Sequence, residues 1–255
     1  MKLWRRLPPR MHVLAMEALL LTRGLLLYGG RFECPCCGWR FRHFVMGGGS
    51  FRRREDGYCP RCNSKARHRR VWLYLQEDPR LLQPPLRLLH VSPRYCLGRR
   101  LSRMRGIDYV GLDLSRGPFV TVAGDLTHLP FDDCSFDAVL CVHVLEHIEA
   151  DDRALANLFR VLRPGGWALI NVPLREGKPT YEDPSIRSPR ERQRAFGEET
   201  HVRIYGDDLG DRLGSAGFDY SLERAPKWFG RTSRMGLPSD EHVFLCRRPR
   251  AEVGV

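Results

Sequence analysis

The stretch that decides the fold runs from Leu86 to Val172 and opens with the apolar segment Leu86-Arg87-Leu88-Leu89-His90-Val91. Three more apolar runs follow: Tyr109-Val110-Gly111-Leu112-Asp113, Phe136 to Val144, and Trp167 to Val172. Segments of helix length separate several of these runs. Such alternation predicts parallel βαβ units in an α/β, doubly wound, mostly parallel sheet. Ligands of these sheets bind beyond the carboxyl ends of the strands.

Three candidate ligand-binding positions come directly after predicted strands. Ser92-Pro93 follows the first, and Ser at an N-cap with Pro at the first helical position predicts a helix start that offers N–H groups to an anion. Asp113 ends the second strand at the place where an acid accepts hydrogen bonds from ribose hydroxyls. Asp125, in the step Gly124-Asp125-Leu126, can accept from an exocyclic amine. An adenosine that carries an amino acid requires these three functions.

The run Phe136-Asp137-Ala138-Val139-Leu140-Cys141-Val142-His143-Val144-Leu145-Glu146-His147 is the most specific motif of the chain. Together with its spacing to Leu162-Arg163-Pro164-Gly165-Gly166, it resembles the class I S-adenosylmethionine-dependent methyltransferases, in particular the type 11-like group that acts largely on small molecules. The resemblance covers about residues 86–248. It implies a Rossmann-like, seven-stranded sheet whose last strand, here Val243 to Arg247, is antiparallel.

The resemblance also implies S-adenosylmethionine as the cofactor and assigns roles to residues. Asp113 would hold the ribose, Asp125 the adenine amine, and the segment His143 to His147 would line the methyl-transfer pocket. The cofactor-binding residues predicted in this way are Ser92, Asp113, Leu114, Asp125, Leu126 and His143.

The first loop departs from the family pattern, which is acid-x-Gly-x-Gly-x-Gly. Here it reads His90-Val91-Ser92-Pro93-Arg94-Tyr95-Cys96-Leu97-Gly98, without the acid that would pair with the methionine ammonium. Either a Ser-Pro helix cap replaces the glycine turn, or cofactor binding is weak and the domain is a scaffold. The joint presence of Asp113, Asp125 and Leu145-Glu146-His147 favours the first interpretation.

The basic residues are concentrated in the first part of the chain, whose formal net charge is +12. Residues 1–105 contain 23 Lys and Arg against 6 Asp and Glu, whereas residues 106–255 contain 19 against 24. This asymmetry predicts contact of the first part with something anionic: nucleic acid such as RNA, a phosphorylated glycan or lipid head groups. Alternatively, many of these arginines simply face water.

The N-terminal segment, residues 1–30, predicts an apolar and basic helix. Its apolar part, residues 11–28, contains Glu17 and Arg23 and is shorter than the roughly 20 uninterrupted apolar residues of a transmembrane span. No cleavage site typical of a signal peptide follows. We therefore expect a helix packed on the domain of a cytoplasmic protein, with a membrane-surface helix as the alternative.

Residues 31–80 predict a zinc-knuckle module. Two Cys-Pro-x-Cys pairs, Cys34/Cys37 and Cys59/Cys62, are each followed by a residue that tolerates positive φ, Gly38 or Asn63. Two such pairs place four thiolates around one tetrahedral ion, and a full shell indicates a structural rather than a catalytic Zn²⁺. Cys36 is expected to be a bystander, and a disulfide is the alternative in an oxidising compartment.

A basic ribbon spans residues 52–70 and leads into the apolar segment Val71-Trp72-Leu73-Tyr74-Leu75. It could bind phosphates of RNA or of a phosphorylated glycan. Alternatively, it is a solvated helix start whose Trp72 and Leu75 pack on the main domain.

Residues 86–255 form the predicted methyltransferase domain, with an insertion at 173–205 that is too polar and Pro-rich for a core strand. A long connection near a binding face is usually a lid or a recognition loop. It contains Thr180-Tyr181-Glu182-Asp183-Pro184 and ends in His201-Val202-Arg203-Ile204-Tyr205. If the acceptor is a hydroxyl or amine, a base must take its proton. The candidate catalytic residues are His201, His147 and Glu146.

The sequence thus predicts a methyltransferase that acts on a small-molecule or sugar-containing acceptor, at O or N. The first alternative is methylation of ribosomal RNA through the basic zinc module, although Val144-Leu145-Glu146-His147 replaces the Asn-Pro-Pro-aromatic motif typical of base methylation. The second is a zinc-stabilised interaction protein with a degenerate cofactor site.

Overall fold

The computed structural model describes residues 9–46, 57–223, 232–237 and 242–250. The α-helices are α1 (Pro9–Leu26), α2 (Ala66–Glu77), α3 (Tyr95–Leu101), α4 (Asp151–Val161), α5 (Pro189–Phe196), α6 (Leu209–Ser215) and α7 (Thr232–Met235). The strands are β1 (Tyr28–Glu33), β2 (Arg40–Phe41), β3 (Leu86–Val91), β4 (Ile107–Asp113), β5 (Val122–Ala123), β6 (Phe136–Val142), β7 (Leu162–Asn171), β8 (Tyr181–Glu182), β9 (Arg203–Ile204), β10 (Asp219–Glu223) and β11 (Val243–Arg247). Short 3₁₀ turns occupy Pro79–Leu82, Leu126–His128 and Leu145–His147.

The central sheet has seven strands in the order β10-β11-β7-β6-β3-β4-β5. The pairs among β3, β4, β5, β6 and β7 are parallel, whereas β11 is antiparallel to both β7 and β10. The predicted doubly wound sheet with an antiparallel last strand is therefore confirmed. The chain reverses its strand order beside β3, so the ends of β3, β4 and β6 open a crevice at a topological switch point.

Both faces of the sheet are covered, which explains why its strands are apolar at nearly every position. Leu88, Leu140 and Leu169 point to one face, where they share a core with α2 and α3. The neighbouring positions Leu89 and Val139 point to the other face, which packs against α4 and α6. This alternation follows from the period of two in a strand.

The Cys-rich module shares the core of the main sheet. Cys34 and Cys59 belong to the same buried cluster as Trp72 and Leu75 of α2 and Leu88 of β3. The prediction that Trp72 and Leu75 pack on the main domain is therefore confirmed. Because one core joins the two parts, disturbing the module should disturb the sheet.

Helix α1 lies against the Cys-rich module and α3 through polar contacts. Arg23 donates hydrogen bonds to the carbonyl oxygens of Pro60 and Cys59, and Glu17 accepts one from Arg99 at 2.7 Å. Among the described residues, no helix has both the length and the apolar character needed to cross a membrane.

Candidate active site

A cavity of about 540 Å³ opens at the carboxyl ends of β3, β4 and β6. Its lining includes all six residues predicted to bind the cofactor: Ser92, Asp113, Leu114, Asp125, Leu126 and His143. His147 also lines it. The tertiary structure thus brings together side chains from the ends of four different strands, β3, β4, β5 and β6.

The loop after β3 differs from its prediction. Ser92 has φ 48°, and α3 begins only at Tyr95 with Arg94 at its N-cap, so the prediction of a Ser92 N-cap followed by Pro93 at the first helical position is wrong. The physical reason is that an N-cap residue needs extended dihedrals, whereas Ser92 occupies the left-handed region. Its hydroxyl instead donates a hydrogen bond to Asp113 Oδ2 at 3.0 Å.

His90, which replaces the acid of the family pattern, does not act as an acid. Its side chain is buried, and burial lowers the pKa of its imidazole to about 3, so the ring is neutral. Nδ1 lies 3.1 Å from the hydroxyl of Tyr109. A neutral ring occupied in this way does not replace the carboxylate that would pair with an ammonium group.

Asp125 lines the cavity, as predicted, and also caps the 3₁₀ turn that follows it. Oδ1 accepts hydrogen bonds from the backbone N–H of Thr127 at 2.8 Å and from its hydroxyl at 2.9 Å. The backbone and side-chain hydrogen bonds from Thr127 lower the pKa of the carboxyl group. Asp125 therefore presents a charged carboxylate to the cavity.

The predicted catalytic residues meet beside this cavity. Glu146 is fully buried; its Oε1 lies 2.8 Å from His143 Nδ1 and 4.0 Å from His201 Nε2. The rings of His147 and His201 are in edge-to-face contact, with centroids 4.7 Å apart. His143 has φ 54°, a conformation that non-glycine residues seldom adopt and that often marks a functional site.

Burial dominates the electrostatics of this cluster. It raises the pKa of the Glu146 carboxyl group above its ordinary value, and it lowers the pKa of the His143 and His201 imidazoles. These shifts favour the neutral form of each group, as expected for ionisable groups removed from water.

The insertion contributes residues that sequence reasoning did not identify as part of the site. Arg203 is buried; it donates to Glu182 Oε2 at 2.7 Å and to the carbonyl oxygens of Ile148 and Glu149. Tyr205 donates its hydroxyl hydrogen to Asp151 Oδ2 at 2.7 Å. Arg203 thus ties the insertion to the segment that carries Glu146 and His147. The signal for this contact in the sequence was the Arg within the run His201 to Tyr205. The planar guanidinium group of an Arg can donate to several acceptors at once, so it can hold two segments together.

A second cavity of about 640 Å³ adjoins the first. The two share Glu149, Arg192 and Val202, and the second is also lined by Asp183, Ile186 and Arg187 of the insertion. Its position and its charged lining suit a polar molecule next to the first cavity.

The structure describes the basic ribbon from Gly57 onward, and two of the five Lys and Arg residues in this part are buried. Arg69 and Arg70 are buried, and Arg69 donates to the carbonyl oxygens of Gly57, Ser64 and Gly236. The alternative of a solvated helix start is therefore wrong for these two arginines, and they are not exposed to phosphates. The reason is that core packing of α2 carries them into the interior.

The four predicted metal-ligand cysteines form one cluster. Their Sγ atoms all lie within 4.8 Å of one another, with 3.6 Å between Cys34 and Cys62 and 3.8 Å between Cys37 and Cys59. Four sulfurs about 2.3 Å from a tetrahedral ion would be about 3.8 Å apart. Gly38 and Asn63 have φ values of 70° and 60°, as the knuckle motif predicts. The cluster therefore fits a tetrahedral ion.

Comparison with known proteins connects this geometry to a family. Residues 96–170 match the family model described as a methyltransferase domain. A demethylmenaquinone methyltransferase of Renibacterium salmoninarum is 35% identical over 111 residues, which cover 40% of this chain and 47% of that protein. A putative methyltransferase of Encephalitozoon cuniculi is 41% identical over 85 residues, covering 32% of this chain and 36% of that protein. The chain thus spans less than half the length of these curated relatives.

Solved structures agree with the fold. An S-adenosylmethionine-dependent methyltransferase from Mesorhizobium loti has a TM-score of 0.50 and 20% identity, covering 69% of this chain and 97% of that one. The [4+2]-cyclase SpnF has a TM-score of 0.51 and 18% identity, covering 96% of this chain and 98% of that one. At such identities the likeness shows the fold, which is the Rossmann-like methyltransferase fold. Residues 96–170 therefore match a methyltransferase domain, and they lie in a fold that this chain shares with an S-adenosylmethionine-dependent methyltransferase.

Proposed function

We propose that the chain transfers a methyl group from S-adenosylmethionine to a polar small-molecule acceptor, at O or N. The observation that carries the proposal is the single cavity lined by Ser92, Asp113, Asp125 and His143. Asp113 accepts from the two ribose hydroxyls and Asp125 from the adenine amine, with Leu114 and Leu126 against the apolar surface of the nucleoside. The missing acid of the first loop is compensated by backbone carbonyls, which bind the methionine ammonium.

The adjoining cavity holds the acceptor. Its charged lining, which includes Asp183, Arg187 and Arg192, favours a polar acceptor such as a sugar-containing metabolite. The names of several relatives point elsewhere: they are demethylmenaquinone methyltransferases, and one from Idiomarina loihiensis is a C-methyltransferase of ubiquinone and menaquinone biosynthesis. We favour the polar acceptor because a quinone ring would remove water from the charged side chains of this cavity without offering them a comparable polar partner.

Methyl transfer requires positioning, exclusion of water and activation of the acceptor. S-adenosylmethionine supplies an electrophilic methyl group, whose bond to sulfur breaks as the acceptor atom bonds to carbon. The group Glu146, His147 and His201 activates the acceptor, because it lies beside the cofactor cavity. Arg203 keeps the segment that bears Glu146 and His147 against the insertion and so limits the access of water.

We also propose that Cys34, Cys37, Cys59 and Cys62 bind one structural Zn²⁺. Their sulfur spacing supports a tetrahedral ion, and four thiolates leave no open coordination position. The nine cysteines of the chain form no disulfide, which supports a cytoplasmic location, where thiols stay reduced.

The alternatives have less support. Methylation of RNA would use the basic ribbon, of which Arg69 and Arg70 are buried. An interaction protein with a degenerate cofactor site remains the competing hypothesis, since the family's acid and glycines are replaced in the first loop.

Calorimetric titration of the zinc-loaded protein with S-adenosylhomocysteine tests the proposal. We expect binding that weakens about 10- to 100-fold in Asp113→Ala, as for loss of hydrogen bonds to a charged group. Asp108→Ala is the matched control, because Asp108 lies on the same strand and pairs with Arg87 on the surface. Absence of binding to the unaltered protein would favour the degenerate-site alternative.

A further inference from the structure

Glu146, His147 and His201 form a second group of potential metal ligands, separate from the four cysteines. Each offers one ligand atom, and these atoms all lie within 4.8 Å of one another. Glu146 and His201 are buried, whereas His147 is exposed and lines the cofactor cavity. The group therefore lies at the edge of that cavity, close to where the acceptor would react.

The carboxylate of Glu146 is the strongest indication of a missing cation. Its side chain is fully buried, and neither oxygen accepts a hydrogen bond from any described residue. His143 Nδ1 lies 2.8 Å from Oε1 but makes no well-aligned N–H···O bond. A buried carboxyl group without hydrogen bonds is unfavourable in either protonation state, and a bound cation would stabilise its charged form.

His147 is held as metal-binding histidines usually are, with its second ring nitrogen next to a hydrogen-bond partner. His147 Nδ1 lies 3.0 Å from the hydroxyl oxygen and 3.4 Å from the carbonyl oxygen of Thr200. A proton on Nδ1 directed at Thr200 leaves the lone pair of Nε2 available, which is the arrangement found around most metal-bound histidines. His201 Nε2 lies 3.2 Å from Glu198 Oε2, so a second carboxylate is within reach of the same ion.

We propose that Glu146, His147 and His201 bind a divalent first-row transition-metal ion. Two imidazoles and one carboxylate suit zinc, iron(II) or manganese, whereas Mg²⁺ and Ca²⁺ prefer oxygen ligands alone. Ligand atoms about 2.1 Å from one ion lie about 3.0–3.4 Å apart, so the side chains must close by roughly 1 Å on binding.

Such an ion would change the role of the two histidines. A histidine whose lone pair binds a metal cannot accept a proton from the acceptor. Instead, the ion binds the acceptor oxygen and lowers its pKa, and the proton leaves to solvent. The electron pair of that oxygen then forms the bond to the methyl carbon, while the pair of the broken carbon–sulfur bond stays on sulfur. This role rests on the methyltransferase function proposed above, whereas the binding of the ion does not.

The test measures Mn²⁺ binding to the zinc-loaded full chain. Binding is monitored as a decrease in the electron paramagnetic resonance signal of free Mn²⁺. The four-thiolate site is filled beforehand with one equivalent of Zn²⁺ per chain, which four thiolates bind in preference to two imidazoles and a carboxylate, and no cofactor is present. We expect one Mn²⁺ per chain, with affinity reduced at least tenfold in His201→Ala and in Glu146→Gln. We also expect a smaller loss in Thr200→Val, which removes the hydroxyl beside His147.

His43→Ala and Glu223→Gln are matched controls, because both residues lie outside this cluster, and they should bind Mn²⁺ as the unaltered protein does. Thermal unfolding and zinc content show which variants are folded. If Glu146→Gln does not fold, Thr200→Val replaces it in the comparison. Absence of Mn²⁺ binding, or equal binding by folded His201→Ala, would overturn the inference. Mn²⁺ binding without binding of S-adenosylhomocysteine would instead contradict the proposed function and leave the metal site intact.

Discussion

The imidazole rings of His147 and His201 lie edge to face, with centroids 4.7 Å apart and planes at 78°. His147 belongs to the 3₁₀ turn after β6, whereas His201 comes from the insertion after β7. The contact therefore joins the two segments that contain the predicted catalytic residues. A backbone hydrogen bond from Val202 N to Glu146 O, 2.9 Å long, supports the same alignment.

Replacing Arg203 by Ala should destabilise the protein by about 3–5 kcal/mol, because it leaves buried acceptors and Glu182 without their cation. Arg203→Lys should recover only part of this loss, since an ammonium group cannot reproduce the planar array of donors. Urea unfolding measures the effect. Arg194→Ala, an exposed arginine of α5, is the control and should change stability by less than about 0.5 kcal/mol.

The contribution of Glu182 should depend on pH. Burial raises the pKa of its carboxyl group, but hydrogen bonds from Arg212 and Arg203 outweigh this and hold the pKa below its ordinary value. Asp151 is the other charged group that contacts both arginines. Because the folded-state pKa is lowered, the stabilisation is present above the unfolded-state pKa of about 4.3 and is lost as pH falls through the folded-state value.

Unfolding free energies of the unaltered protein and Glu182→Gln, compared between pH 7 and pH 3, check this dependence. The difference between them should be largest at pH 7 and shrink as the solution becomes acid. Glu199→Gln, at an exposed position of the insertion, should show no such change. A difference that stays constant over this range would contradict the assignment.

Cys62→Ser should abolish zinc binding and destabilise the whole chain, not only the Cys-rich module. Structural zinc sites have apparent binding free energies of about 10–16 kcal/mol, and this cluster is continuous with the core that contains Trp72 and Leu88. We expect a single unfolding transition at lower temperature and no bound zinc by elemental analysis. Cys134→Ser, outside the cluster, should keep its zinc. If the sheet of Cys62→Ser unfolded at the same temperature as that of the unaltered protein, the Cys-rich module would not contribute to the stability of the sheet.

Substitutions of Ser92 should separate backbone strain from hydrogen bonding. Ser92→Ala keeps the left-handed backbone and loses the bond to Asp113, which should cost about 1 kcal/mol. Ser92→Gly loses the same bond but removes a strain of about 1–2 kcal/mol, so it should be more stable than Ser92→Ala. Urea unfolding of the two variants measures the difference, and the reverse order would mean that the conformation of this loop is not strained.

Much of the fold could be predicted because its signals are local. The strand Leu86–Val91, the antiparallel strand Val243–Arg247 and the helix before Leu162 follow from apolar runs and from the family pattern. The start of α3 could not, because Ser and Pro at 92 and 93 suit a helix N-terminus as well as the turn that the end of β3 requires. The burial of Arg69 and Arg70 could not be predicted either, because basic residues are usually exposed and only the packing of α2 places these two inside.

The sequence by itself determined the elements: their apolar periodicity, the strand ends that carry Asp113 and Asp125, and the two cysteine pairs. Each depends on residues close together in the chain, where spacing alone sets which side chains share a face or an end. Only the tertiary structure decided that His201 meets Glu146 and His147, and that Arg203 joins the insertion to the segment after β6. These contacts depend on how a long connection closes onto the sheet, and that is set by the packing and hydrogen bonds of the whole domain rather than by local spacing.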